Sequence, residues 1–138
     1  MSLDSQVLRS SFDLVIERQP ELTVRFYEIL FERYPQVRPL FGRSSNNQSE
    51  MLQSALVSVL EHLEDAGWLT DTLTAMGKKH VEYGVTEEMY AWVGASLLAA
   101  LAEAAGPQWT PQLEAAWTAA YGAIAGLMQQ GAREVDAA

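Results

Sequence analysis

The sequence predicts an all-α fold on three observations. Apolar side chains recur at three- and four-residue spacing along the chain. Runs of Val, Ile and Thr with the period of two that a strand requires are missing. Pro and Gly fall in small groups between the periodic stretches, where they act as punctuation.

Each helix follows from its own signals. The first is expected from about Ser5 to Arg18, with Leu8, Phe12, Val15 and Ile16 on one face. Pro20 and Glu21 suit the first turn of a second helix, which places Leu22, Phe26, Tyr27, Leu30, Phe31 and Tyr34 on a broad stripe. Pro35 and Pro39 confine the next piece to a short turn, Pro35 to Leu40, ending at Phe41-Gly42. A polar loop from Arg43 to Asn47 follows. Asn47 with Glu50 has the pattern of a helix start, and Gln48, Leu52, Ala55, Val59 and Leu63 then share a face. Asp65-Ala-Gly67 is expected to end that helix. Thr70 or Asp71 is expected to cap a fourth, carrying Leu73, Met76 and His80 and closed by Gly84. Thr86 caps a fifth, with Glu87 and Glu88 where the helix dipole favours anions and Tyr90, Val93, Leu97 and Leu101 on one face. Gly106-Pro107 ends it. Thr110-Pro111 opens the last, with Leu113, Trp117, Ala120, Ile124 and Leu127 on a stripe, until Gly131. A frayed, disordered tail is expected from about 133.

The totals narrow the function. A chain of 138 residues is expected to form one domain, residues 1–138, with a real core. The net charge of −9 repels phosphate backbones and argues against nucleic acid. No basic amphipathic stretch suggests a membrane surface. The most apolar run, Met89 to Ala102, is shorter than the ~20 residues a span needs and reads as a buried helix. With no cysteine, disulfides, zinc–thiolate sites, iron–sulfur clusters and covalent c-type haem attachment are excluded. That absence fits a reducing cytosol, and no secretory signal is visible at Met1-Ser-Leu-Asp4.

Few residues offer chemistry. The two histidines, His62 and His80, lie too far apart for a local metal motif. No phosphate-binding glycine loop appears, and Gly122 and Gly126 inside a helix read as close-packing sites. Gln48, His80 and Tyr27 are polar residues on apolar stripes. Taken singly each is ordinary: such a His is more often a core residue bonded to a carbonyl, and a Tyr beside Phe is more often core. Together they form the set a planar porphyrin needs: a neutral imidazole for the iron, and buried donors for a ligand that gains negative charge. Helix spacing alone does not show that they converge.

Their order resembles the globin family, and most closely the globin domains of bacterial flavohaemoglobins and related single-domain bacterial haemoglobins. The resemblance runs from about Asp4 to Gln130. It rests on Arg25-Phe26-Tyr27 in the second helix, on Phe41 after the Pro-containing turn, and on Gln48 with Leu52. It rests also on Met76-Gly-Lys-Lys-His80, on Tyr90 ten residues further, and on Ala116-Trp-Thr-Ala-Ala-Tyr-Gly122.

The resemblance implies a three-over-three globin fold around non-covalent haem b, iron protoporphyrin IX. It implies His80 as the proximal iron ligand and Tyr27 and Gln48 as distal partners of a bound gas. Phe41, Leu52, Val85 and Val93 would pack on the porphyrin, Tyr90 would polarise His80, and Lys79 would pair with a propionate unless it is simply solvated. One departure stands out. In flavohaemoglobins a Glu on the last helix joins the Tyr and the proximal His; that position here is Ala132, and Glu134 lies two residues away. The 138 residues also leave no room for the flavin- and nicotinamide-binding reductase, so redox turnover is expected to need an external electron donor. The implied role is binding O2, with CO and NO, for transport, storage or scavenging. The alternatives are nitric oxide dioxygenation served by a separate reductase, and haem-based gas sensing. Oligomeric state is left open: Ala99-Ala100 and Ala119-Ala120 permit close packing within or between chains.

Overall fold

In a computed structural model, residues 4–41 and 45–136 are described. Six α-helices account for most of them: α1 (Ser5–Arg18), α2 (Leu22–Arg33), α3 (Ser45–Glu61), α4 (Ala66–Glu82), α5 (Glu87–Ala105) and α6 (Pro111–Asp136). Short 3-10 turns at Pro35–Leu40 and Gly106–Gln108 complete the order, and no strand occurs among the described residues.

The ends of α1 are where the sequence puts them. Asp4 caps its start, with the carboxylate accepting from the Val7 N–H at 3.2 Å. Three other boundaries differ. α3 begins at Ser45, so Asn47 lies in its first turn; Gly42 to Ser44 and the Asn47 side chain fall outside the described residues. Asp65 does not close α3 but caps α4, accepting from the Trp68 N–H at 3.0 Å, so α4 starts a turn earlier than Thr70 or Asp71 would place it. Gly67 is tolerated there because the first turn lacks upstream carbonyl partners in any case. Gly131 does not end α6, which continues to Asp136.

A large core joins α1, α2, α5 and α6 through Leu8, Val15, Leu22, Leu30 and Leu101, all fully or almost fully buried. A buried polar link in it is satisfied in sequence. Trp117 Nε1 donates to Ser11 Oγ at 2.9 Å, and that hydroxyl donates to the Val7 carbonyl at 2.7 Å. Tyr34 and Trp92 stack with ring centroids 5.2 Å apart, tying the turn after α2 to α5. Arg25 grips Glu103 with two nitrogens, at 2.7 and 3.0 Å, fixing α2 on α5 at the surface. Arg9 grips Glu64 likewise, and with Ser5 it holds that carboxyl down at about 2.

α5 is longer than the run Met89 to Ala102. The stretch Glu87–Gln108 is 22 residues with mean hydropathy 1.3, sufficient by length and composition to cross a bilayer. It packs instead against α1, α2 and α6, with Gly94, Ser96, Leu97, Ala100 and Leu101 buried. A core helix reaches such a composition because neighbours surround it.

The glycines of α6 also differ from expectation. A Cβ on Gly122 or Gly126 would meet nothing, so neither is a packing site. The close approaches are at Gly77 on α4 and Gly131 on α6. Gly126→Ala should therefore raise stability by about 0.5–1 kcal/mol, since helix propensity alone is changed. Leu8→Ala should lower it by about 2–5 kcal/mol through lost burial and a cavity. Urea unfolding of the two variants checks both signs.

Candidate functional site

His80 lies in the last turn of α4, four residues after Met76. Its Nδ1 is 2.6 Å from the Met76 carbonyl oxygen. A carbonyl can only accept, so Nδ1 carries a proton and donates, which in the neutral ring leaves the lone pair on Nε2. The ring meets the edge of Tyr83 at 5.5 Å. Just beyond, Gly84 at φ +89° turns the chain, and the Val85 N–H donates to the His80 carbonyl at 3.0 Å.

Met76 and Val85 border a second, smaller core of Val59, Leu73, Tyr90, Ala125 and Met128. Tyr90 is buried there, and burial pushes its phenol up from 10.0. Its main-chain carbonyl accepts from the Tyr121 hydroxyl at 2.5 Å, while its own hydroxyl has no hydrogen-bond partner among the described residues. The group that meets the His80 Nδ1 is thus the Met76 carbonyl and not the Tyr90 phenol. Lys79 is exposed and in no ion pair among the described residues; its neighbour Lys78 pairs with Glu134 at 3.2 Å.

The other polar residues come from α2 and α3. Tyr27 sits in an aromatic group, with ring centroids 4.9 Å from Phe26, 5.7 Å from Phe31 and 5.3 Å from Phe41. Its hydroxyl has no hydrogen-bond partner among the described residues, and burial raises its pKa from 10.0 to about 12. A neutral phenol with an unused donor in apolar surroundings is therefore held ready. Gln48, in the first turn of α3, is half-buried. Leu52, Phe41 and Val93 border the large core without being closed off by it.

Tyr27 stands on α2, Gln48 and Leu52 on α3, His80 on α4, and Tyr90 and Val93 on α5. α3 packs on α2 and α1, whereas α4 packs on α6, and α3 with α4 is not among the closely packed pairs. Among the described residues no group of three or more metal-binding side chains exists. The donor chemistry is one imidazole with partly buried apolar side chains, which suits a cofactor that brings its own metal and most of its own ligands.

His62 behaves differently. Its Nδ1 meets the Ser58 carbonyl at 2.7 Å, and its ring lies flat on Trp68, with centroids 3.8 Å apart and planes 10° apart. One ring nitrogen and one face are engaged in closing the α3–α4 turn.

An all-helical fold with one oriented imidazole and partly buried apolar side chains is compatible with a haem-carrying helical protein. Comparison with known proteins agrees. A sequence profile of the globin family matches residues 24–128. The flavohemoprotein of Bordetella pertussis is 34% identical over 125 residues, covering 88% of this chain and 31% of that protein. An engineered carbene transferase, a candidate nitric oxide dioxygenase from Rhodothermus marinus, superposes with TM-score 0.86 at 28% identity, covering 99% and 97% of the two chains. A bacterial globin from Campylobacter jejuni superposes with TM-score 0.82 at 26% identity, covering 97% of each. The chain belongs to the globin family. It spans about a third of the length of the curated relatives it matches.

The family implies a haem, and the residues present fit one: an imidazole oriented by a carbonyl at Nδ1, a Tyr27 hydroxyl without a hydrogen-bond partner among the described residues, and half-buried Phe41, Leu52, Met76, Val85 and Val93. Reasoning from sequence missed the Met76 carbonyl and Tyr121. The first is signalled by the four-residue step back from His80. The second is not, because Tyr121 works through main chain: its ring lies over Gly94, where a Cβ would sit 2.6 Å from a ring carbon.

The raised Tyr27 pKa has a testable sign. The unfolded phenol ionises near 10.0 and the folded one at about 12, so the folded form holds more protons between these values. Stability should fall as pH rises from 10 to about 12. Tyr27→Phe should lose less over that window, as read by urea midpoints at each pH; identical slopes would remove the buried neutral phenol.

Proposed function

We propose that the chain holds haem b through His80 and binds a small diatomic gas, O2 foremost and CO and NO with it, on the side of Tyr27 and Gln48. The observation that carries this reading is the 2.6 Å bond from His80 Nδ1 to the Met76 carbonyl. It sets the tautomer, leaves Nε2 as the ligand atom, and makes that nitrogen a better donor. A bound haem, held by His80, would supply an iron able to bind the gas.

The other residues have separable tasks. The Tyr27 hydroxyl donates toward the gas, and the low dielectric around Phe26, Phe31 and Phe41 strengthens that interaction. The Gln48 amide, at the start of α3, is the second donor. Phe41, Leu52, Val85 and Val93 exclude water from the macrocycle. Tyr90 forms part of the wall behind His80, and Lys79 is free to meet a propionate. The absence of cysteine supports a reducing, cytoplasmic setting.

Nitric oxide dioxygenation is the second reading, favoured by the flavohemoprotein relatives and the Rhodothermus neighbour. Sustained turnover would need a flavin-type reductase as electron donor. Ala132 cannot supply the carboxylate expected on α6, and Glu134 is engaged by Lys78, which lowers the push on the iron and places gas binding first. Mixing reduced, aerated protein with NO and counting nitrate per haem separates the two: about one per haem supports the dioxygenase step, and none leaves binding alone.

Absorption spectra with added haem, under argon, air and CO, test the main reading. Stoichiometric uptake and a gas-dependent spectrum are expected, with retention strongly weakened in His80→Ala. Tyr27→Phe and Gln48→Ala should each speed O2 release by a loss of about 1–3 kcal/mol, roughly 5- to 150-fold. Full haem retention in His80→Ala would sink the assignment.

A further inference from the structure

We propose that Gly77 and Gly131 are positioning residues for His80, joining the ligand-bearing part of α4 to α6 through direct main-chain contact. The two contacts are separate and run in both directions. A Cβ on Gly77 would lie 2.6 Å from the carbonyl carbon of Met128 and 2.8 Å from its Cα. A Cβ on Gly131 would lie 2.7 Å from the carbonyl carbon of Thr74 and 2.8 Å from its Cα. Both clashes are with backbone, which cannot swing aside as a side chain can. Either methyl would force the two helices apart. Gly122 and Gly126, on the same α6, have open space beyond them.

The contact bears on His80 because of where it sits. The Met76 carbonyl that orients the imidazole belongs to the peptide bond joining Met76 to Gly77, and the Gly77 residue is the one seated on Met128. One turn earlier Thr74 is seated on Gly131, and Lys78 closes the rim on Glu134 at 3.2 Å. The hydrogen-bond acceptor of His80 is therefore braced by α6 from behind. Distance and angle at a hydrogen bond respond to displacements of a few tenths of an ångström, so separating the helices alters the imidazole before it unfolds the protein.

The role rests on the haem reading for its purpose but not for its test. Nitrogen-15 NMR of the haem-free chain reads the His80 tautomer directly. The wild type should show a protonated Nδ1 and an unprotonated Nε2. Gly131→Ala and Gly77→Ala should show a mixture of tautomers at the same pH, while Gly122→Ala and Gly126→Ala stay as wild type. In haem-loaded protein the same two variants should shift the iron–histidine stretching band by several wavenumbers and speed haem loss about tenfold or more. Should neither alanine variant fold, Glu134→Gln loosens the rim of the same contact and should give a smaller change in the same readouts. Folded variants with lowered melting temperature but an unchanged His80 tautomer overturn the proposal, leaving the glycines a role in stability alone. Failure of the wild type to take up haem would instead count against the haem reading and leave the NMR comparison decisive.

Discussion

The arrangement depends on main chain meeting main chain where α4 crosses α6. A helix that presents a ligand to an open interval cannot draw its stability from that side. α4 has α6 as its dominant neighbour and is not closely packed on α3. Glycine at the two crossing points lets the backbones approach closely enough for Leu73, Met128 and Ala125 to close a core behind the imidazole.

The polar groups of the site follow from the same division. On the α4 side a polar group is satisfied completely: His80 Nδ1 finds a carbonyl one turn back, and only Nε2 is left over. On the α2 side a polar group is left unsatisfied among the described residues: the Tyr27 hydroxyl stands among Phe26, Phe31 and Phe41. His62 shows that the carbonyl bond is not sufficient by itself. It makes the same four-residue bond as His80, yet its ring is stacked on Trp68 and serves a turn.

Much of this was legible in the residues. Helical spacing, the Asp4 cap and the Pro35–Leu40 turn place the elements, because each depends on neighbours a few positions away. The order Tyr27, Phe41, Gln48, His80, Tyr90 identified the family before any contact was known. Boundaries were less legible where two residues compete for one cap. Asp65 won over Thr70 and Asp71 because its carboxylate reaches the Trp68 N–H, which the pattern of types does not reveal. Close-packing glycines were not legible at all. Gly122 and Gly126 have the spacing of a packing motif and face open space, while Gly77 and Gly131 bear the contact.

An all-helical chain, the position of each apolar face, the lack of cysteine and the histidine of the ligand signature can all be read from the residues alone. Those properties are local or additive, and a single strand of residues carries them. Helix packing, by contrast, is what sets the Met76 carbonyl rather than the Tyr90 phenol against His80, brings Tyr121 to the main chain of Tyr90, and turns Glu134 to Lys78. Each of those outcomes depends on the rotation and separation of two helices. These are set by the summed packing of many side chains and change with a single methyl group at a crossing point.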